Sequence, residues 1–314
     1  MTYRLNVRLH RFAIMLSCMT VALLVAGALV TSNEAGDSVP DWPLSFGRWL
    51  IGSNNFVANV RYEYSHRFVA GIVGVTTLLF AVCVYFVERR GWMRRLGLLA
   101  LGGVIAQAAI GGLRVLFPEY KALIAIPHAL VAQSFFAVIV SMTVFTSRSW
   151  LEPHEHRPEG GGVSLRQLSS IALGAVLLQL VLGAGFRHGA IGIAPHIAGA
   201  VVVTSLIGVT AALVIRRHRP ERYLTRPAKL ALGLLVIQLG LGIAAYLARL
   251  ASANDPQPLE PMISLTVAHL VVGALTLATL VVLALRCHQV VAPRKHEIPE
   301  SVRAFRSSAR GAAA

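Results

Sequence analysis

The chain has 314 residues, of which 55% are hydrophobic and only 14% charged, with a mean hydropathy of +0.65. A water-soluble domain carries about a quarter charged residues, so the composition excludes an ordinary soluble fold and predicts an all-α polytopic membrane protein. The formal net charge of +15 does not argue for nucleic-acid binding, because many of the arginines lie between apolar runs, where anionic lipid headgroups meet them.

Eight apolar runs have the length of a membrane-crossing helix. In chain order they are Phe12–Thr31, Tyr64–Val87, Leu96–Leu116, Ala122–Thr146, Leu168–Gly185, Pro195–Ile215, Leu230–Leu250 and Met262–Leu285. The first is too long for a signal-peptide core and lacks a small-residue cleavage site, so it is expected to be retained. The N-terminus, the loops 88–95, 147–167 and 216–229, and the tail from Arg286 hold 22 of the 29 Lys and Arg residues. That asymmetry predicts that both termini are cytoplasmic. Cys18 and Cys83 lie in apolar runs and Cys287 at the start of the basic tail, so no disulfide framework is visible.

A repeat runs through the hairpins. Each even run carries one histidine near its outer end: His66, His128, His196 and His269. Runs three, five and seven carry Gln107-x-x-x-Gly111, Gln179-x-x-x-Gly183 and Gln238-x-x-x-Gly242. Run one has Gly27 but no Gln. The pattern predicts eight helices arranged as two pseudo-symmetric four-helix bundles, residues 1–147 and 168–286, joined by a cytoplasmic linker at 148–167 and followed by a disordered basic tail at 287–314. Gly71, Gly199 and Gly273 follow their histidines and suit either close helix contact or clearance for a bulky group. For the Gln residues two readings stand, hydrogen bonds across helices or contact with a cofactor.

Ionisable groups inside a membrane are costly and are retained for function. Two His from two helices of a bundle can grip a haem iron from opposite sides. This predicts two haem sites, His66 with His128 and His196 with His269. Zinc is the rival ligand, but structural zinc sites pair their ligands closely in sequence, and no H-x-x-x-H or C-x-x-C occurs. His154 and His156 are the nearest local pair, and their Pro/Gly-rich charged context reads as solvated. His188, beside Arg187, suits a surface or propionate-contacting position.

Glu63 and His66 are three apart and share a helical face. A carboxylate there could move protons or stabilise positive charge on a substrate carbon. It could equally serve the helix dipole or pair with Arg67 or Arg61. Arg67, Arg114, Arg187 and Arg249 lie near outer helix ends, where haem propionates need cations and where snorkelling arginines also settle.

These residues together resemble the haem A synthase family. The resemblance rests on Pro40-Asp41-Trp42-Pro43-Leu44 in the first outer loop, on Glu63-Tyr-Ser-His66-Arg67 at the start of run two, and on a histidine in every even run. It implies an oxidoreductase of a bacterial inner membrane that oxidises a ring methyl of haem O to the formyl group of haem A for terminal oxidases. By the same resemblance, His66 and His128 flank the substrate haem; Arg67, from its position at the outer end of run two, is the candidate propionate partner. His196 and His269 ligate a permanent haem B, and Glu63 is the essential acid. A haem O synthase and an electron donor are the implied partners, with membrane lipid; homo-oligomerisation stays open. Many bacterial members have cysteines flanking the loop motif, where this chain has Val39 and Ser45, so a loop disulfide or thiol chemistry is not part of its mechanism. A long first loop, Ser32–Tyr62, suits a lid, whereas the short loop Arg187–Ala194 suits a permanent cofactor. The alternative is a non-enzymatic dihaem electron carrier of cytochrome b type, which four paired histidines equally suit. A transporter would show broken spans and midplane charges.

Overall fold

A computed structural model describes residues 5–154, 156–157, 162–251 and 259–292. It is all-helical. The elements are α1 (Val7–Ser32), α2 (Val60–Val87), α3 (Gly91–Leu116), α4 (Lys121–Thr146), a single-turn α5 (Arg148–Leu151), α6 (Leu165–Arg187), α7 (Ile193–Arg217), α8 (Arg222–Ala251) and α9 (Glu260–Val290). Short 3₁₀ turns occupy Ser53–Asn55 and Pro118–Tyr120. The eight long helices are each long and apolar enough to cross a membrane.

Their surfaces agree with that reading. Phe86 is 76% exposed and Val236 71%, an arrangement that water would penalise and lipid tails tolerate. Thr and Ser hydroxyls along the spans return to backbone carbonyls one turn earlier, as Thr20 does to Leu16 and Thr77 to Val73. These two hydroxyls are thereby paired in an apolar medium.

Helices α1 to α4 close into a ring, each touching the next and α4 touching α1; α6 to α9 close in the same order. Leu16, Phe80, Met93 and Ile139 fill the first ring and Ile207, Leu224, Leu277 and Leu283 the second. The rings join where α1 and α4 meet α9 and α4 meets α6, around Phe136, Val140, Ala274 and Val281.

The sequence-predicted runs fall inside these helices, and the differences lie at the ends. Helix α1 begins five residues early because Asn6 caps it, accepting a hydrogen bond from the Leu9 N–H at 3.0 Å. Helix α9 continues past the predicted boundary at Arg286. Arg286 is buried against Trp150 and Tyr223, and Cys287 and Val290 belong to the core. Apolar periodicity sets the length of a span but does not register a cap or a buried arginine at its end. The expected tail therefore begins a helical turn later than 287, and its residues 293–314 lie outside the described residues.

Candidate functional site

All four repeated histidines project into the rings at the end bearing the 33–59 loop. The glycines of the repeat explain how. His66 on α2 lies on Gly27 of α1, and a Cβ at that glycine would stand 3.1 Å from the imidazole Cε1. His128 on α4 lies on Gly111 of α3, His196 on α7 on Gly183 of α6, and His269 on α9 on Gly242 of α8, with corresponding distances of 3.3, 3.0 and 2.8 Å. Each imidazole thus rests in a notch on the preceding helix that any side chain would fill. The motif is a seat for a ring.

The glutamines sit one turn away from these notches. Gln107 donates to the His128 carbonyl at 2.8 Å and Gln179 to the His196 carbonyl at 2.8 Å. Gln238 packs on the His269 ring, with Nε2 3.3 Å from the ring Nε2, while its backbone carbonyl lies 3.1 Å from the ring Nδ1. The bond across helices is the reading that the geometry carries. Gly199 and Gly273 leave room for the Gln179 and Gln238 side chains, whereas nothing lies near Gly71.

Within the second ring, His196 and His269 face each other with ring centroids 6.3 Å apart and planes at 78°. Two metal–nitrogen bonds of about 2 Å, added to the ring radii, span a gap of that size. In the first ring, Nδ1 of His66 and Nδ1 of His128 are buried without a hydrogen-bond partner. Two orphaned imidazole nitrogens in an apolar bundle are costly. A group filling the space beside the rings offsets that cost by contact or ligation.

The acid and arginine at the mouth of α2 are fully engaged. Glu63, 4% exposed, accepts through Oε2 from the Ser38 N–H at 2.9 Å, the Ser38 hydroxyl at 3.0 Å and the Val39 N–H at 3.0 Å. Its Oε1 pairs with Arg67 Nη2 at 2.5 Å. Arg67 also donates to the carbonyls of Asp41 at 2.6 Å, Val39 at 3.1 Å and Leu44 at 3.2 Å. Asp41 accepts from the N–H groups of Phe46 and Gly47, both at 2.7 Å, and stabilises the left-handed backbone at Phe46 (φ 54°). Slight burial pushes the Asp41 carboxyl up, but the Gly47 and Phe46 N–H groups and the Arg67 charge outweigh it and hold its pKa below the usual value. Trp42 lays its ring on Gly112 of α3, where a Cβ would come within 2.6 Å. Val39 and Ser45 are both buried, and the free cysteines Cys18, Cys83 and Cys287 are all in helices away from this loop.

The other arginines differ in what they leave open. Arg187 reaches from α6 to α1, donating to the Ser32 hydroxyl at 2.6 Å. Arg249 stacks over Phe186 at 5.1 Å. Arg114 packs on Gly36 and keeps a buried Nε without a partner. His188, just past α6, is half-buried near Arg187, Arg114 and His128; burial and those charges hold its pKa down at about 4, so it is neutral at pH 7. His154 instead packs edge-on to Tyr223 at the opposite end.

A family model described as cytochrome oxidase assembly protein (COX15-CtaA) matches residues 10–196. The chain belongs to this family. The match runs from α1 through the seat of His196 and so contains three of the four histidines. The chain is similar to proteins named "Heme A synthase" from Alkalihalophilus pseudofirmus (31% identical over 137 residues, 42% of this chain and 45% of the relative), Lysinibacillus sphaericus (32% over 145 residues, 45% and 46%) and Exiguobacterium sibiricum (28% over 189 residues, 59% and 61%). The chain spans about half the length of the first relatives it matches. Membership of this family and eight apolar helices make it a multi-pass membrane protein. Sequence reasoning had named the histidines and the loop but missed Trp42 and Gly112 as partners. The adjacent Gly111-Gly112 pair was the available signal.

Proposed function

We propose that this protein is a haem A synthase, an oxidoreductase that converts the ring methyl of haem O to the formyl group of haem A in a bacterial inner membrane. The observation that carries the reading is the four imidazoles, each seated on a glycine of the preceding helix and grouped as two per ring. The relatives' printed name supplies the reaction. Residues 1–147 form the substrate half: His66 and His128 flank haem O, and Arg114, with its open Nε, is the cation available to a carboxylate there. Residues 168–286 form the cofactor half, where His196 and His269, with ring centroids 6.3 Å apart, would hold haem B. Held there, haem B supplies one-electron transfer.

This chain's own residues then perform four tasks. The glycine seats orient the imidazoles, the glutamines fix the height of His128 and His196 along their helices, the loop at 38–47 excludes water from the first ring, and His188 stays neutral beside it. Oxygen is the oxidant, an electron donor is required, and a haem O synthase is the expected source of substrate. The charge asymmetry supports a cytoplasmic position for both termini.

The deciding experiment co-expresses the protein with a haem O-forming enzyme under oxygen and extracts the haems. Haem A is the expected product. Haem O alone, with the protein folded in the membrane, would favour a dihaem electron carrier.

A further inference from the structure

We infer that Glu63 and Arg67 are positioning residues, a latch that acts on the first histidine pair by holding the 38–47 loop shut with Trp42 wedged on Gly112. Neither residue touches the substrate. The Glu63 carboxylate already accepts three hydrogen bonds through one oxygen and an ion pair through the other. Both carboxylate oxygens are therefore committed to the loop and to Arg67, and the carboxylate faces the loop. Arg67 is likewise committed: besides Glu63 it binds three loop carbonyls, those of Val39, Asp41 and Leu44. An arginine bound to the carbonyls of residues 39, 41 and 44 measures the shape of a loop and has little left for a propionate.

The loop in turn reaches the site. Its Trp42 ring covers Gly112, the neighbour of the glycine that seats His128. Its anchor, Glu63, lies one turn from His66. The latch therefore ties the mouth of α2 to the flank of α3 across the opening above both imidazoles. Charge-assisted hydrogen bonds in a partly buried setting are strong enough to do this without a covalent link, and none of the three cysteines is available in the loop.

The inference builds on the haem reading only in naming what the loop encloses. The test uses the full chain in lipid nanodiscs, loaded with haem, and compares Glu63→Gln, Arg67→Ala, Trp42→Ala and Gly112→Leu with wild type. Hydrogen exchange of the 38–47 amides is read beside the rate of haem release from the first ring. The Gly112→Leu variant leaves the ion pair in place and displaces only Trp42, so it separates the latch from any chemistry of the carboxylate. All four variants should speed loop exchange about ten-fold or more, the scale of one lost charged hydrogen bond. They should also speed haem release and lower turnover together, while leaving the haem signal of the second ring unchanged. Loss of turnover in Glu63→Gln with loop exchange and haem release unaltered would overturn the latch and make Glu63 a chemical participant. So would full turnover in variants whose loop is open. If wild type forms no haem A but the variants still open the loop and release haem faster, the synthase reading fails and the latch stands.

Discussion

The two helical rings are built alike and closed differently. Each has the same neighbour order and two imidazoles seated on glycines. Over the first lies the 33–59 segment, pinned by Glu63, Arg67, Asp41 and Trp42; in the second, among the described residues, the connection of α6 to α7 is short, residues 188–192. The histidine rings follow suit. In the second, His196 and His269 contact Gln179 and Gln238; in the first, Nδ1 of each histidine is buried and unpartnered. On the proposed function, the short connection between α6 and α7 suits a group that stays. On the same reading, a loop held by hydrogen bonds and an ion pair suits a group that is exchanged. The two rings thus share a scaffold and differ in the loop that the first one carries.

The comparison can be broken most directly at the second ring. His196→Ala or His269→Ala should abolish its haem absorption, whereas His66→Ala should leave that signal intact; a spectrum unchanged by either second-ring substitution ends the two-site account. A graded effect comes next. Alanine at the four seats should destabilise haem-loaded protein in the order Gly242, Gly183, Gly27, Gly111, following the 2.8 to 3.3 Å approaches. The range is about 1–3 kcal/mol for overpacking, read by thermal unfolding. A reversed order would mean that the seats are not what holds the rings. The smallest effect is confined to the loop of the first ring. Because the folded pKa of Asp41 is depressed, its contribution is complete above the unfolded value of about 3.9 and is lost as pH falls through the lower folded value. Fluorescence of a variant retaining Trp42 as its only tryptophan should stay flat from pH 8 to about 5 and change only in stronger acid. Asp41→Asn should weaken the turn at every pH.

Much of this was legible in one dimension. A span needs about twenty apolar residues whatever its neighbours are, so eight helices and their approximate limits follow from composition alone. The histidine and Q-x-x-x-G repeat is local, within single helices, and its spacing identified the imidazoles before any fold was known. The direction of the Gln side chains was one of two readings, and packing chose between them.

The rest depended on contacts between residues far apart in the chain. Nothing in the spacing of Glu63 and His66 distinguishes a carboxylate aimed at a ligand from one aimed at Ser38 and Val39, since both lie on the mouth of the same helix. The four outer arginines look alike as a list, yet in space Arg67 is bound to a loop, Arg187 to α1, Arg249 to an aromatic ring, and Arg114 keeps a free Nε. By itself the sequence determined the class of protein, the number of spans and the identity of the ring-bearing positions, because hydropathy and helical period are properties of a chain segment alone. Only the tertiary structure decided that the glycines are seats, that Trp42 closes on Gly112, and that Glu63 and Arg67 hold a loop, because hydrogen-bond direction and close approach exist only once helices have been brought side by side.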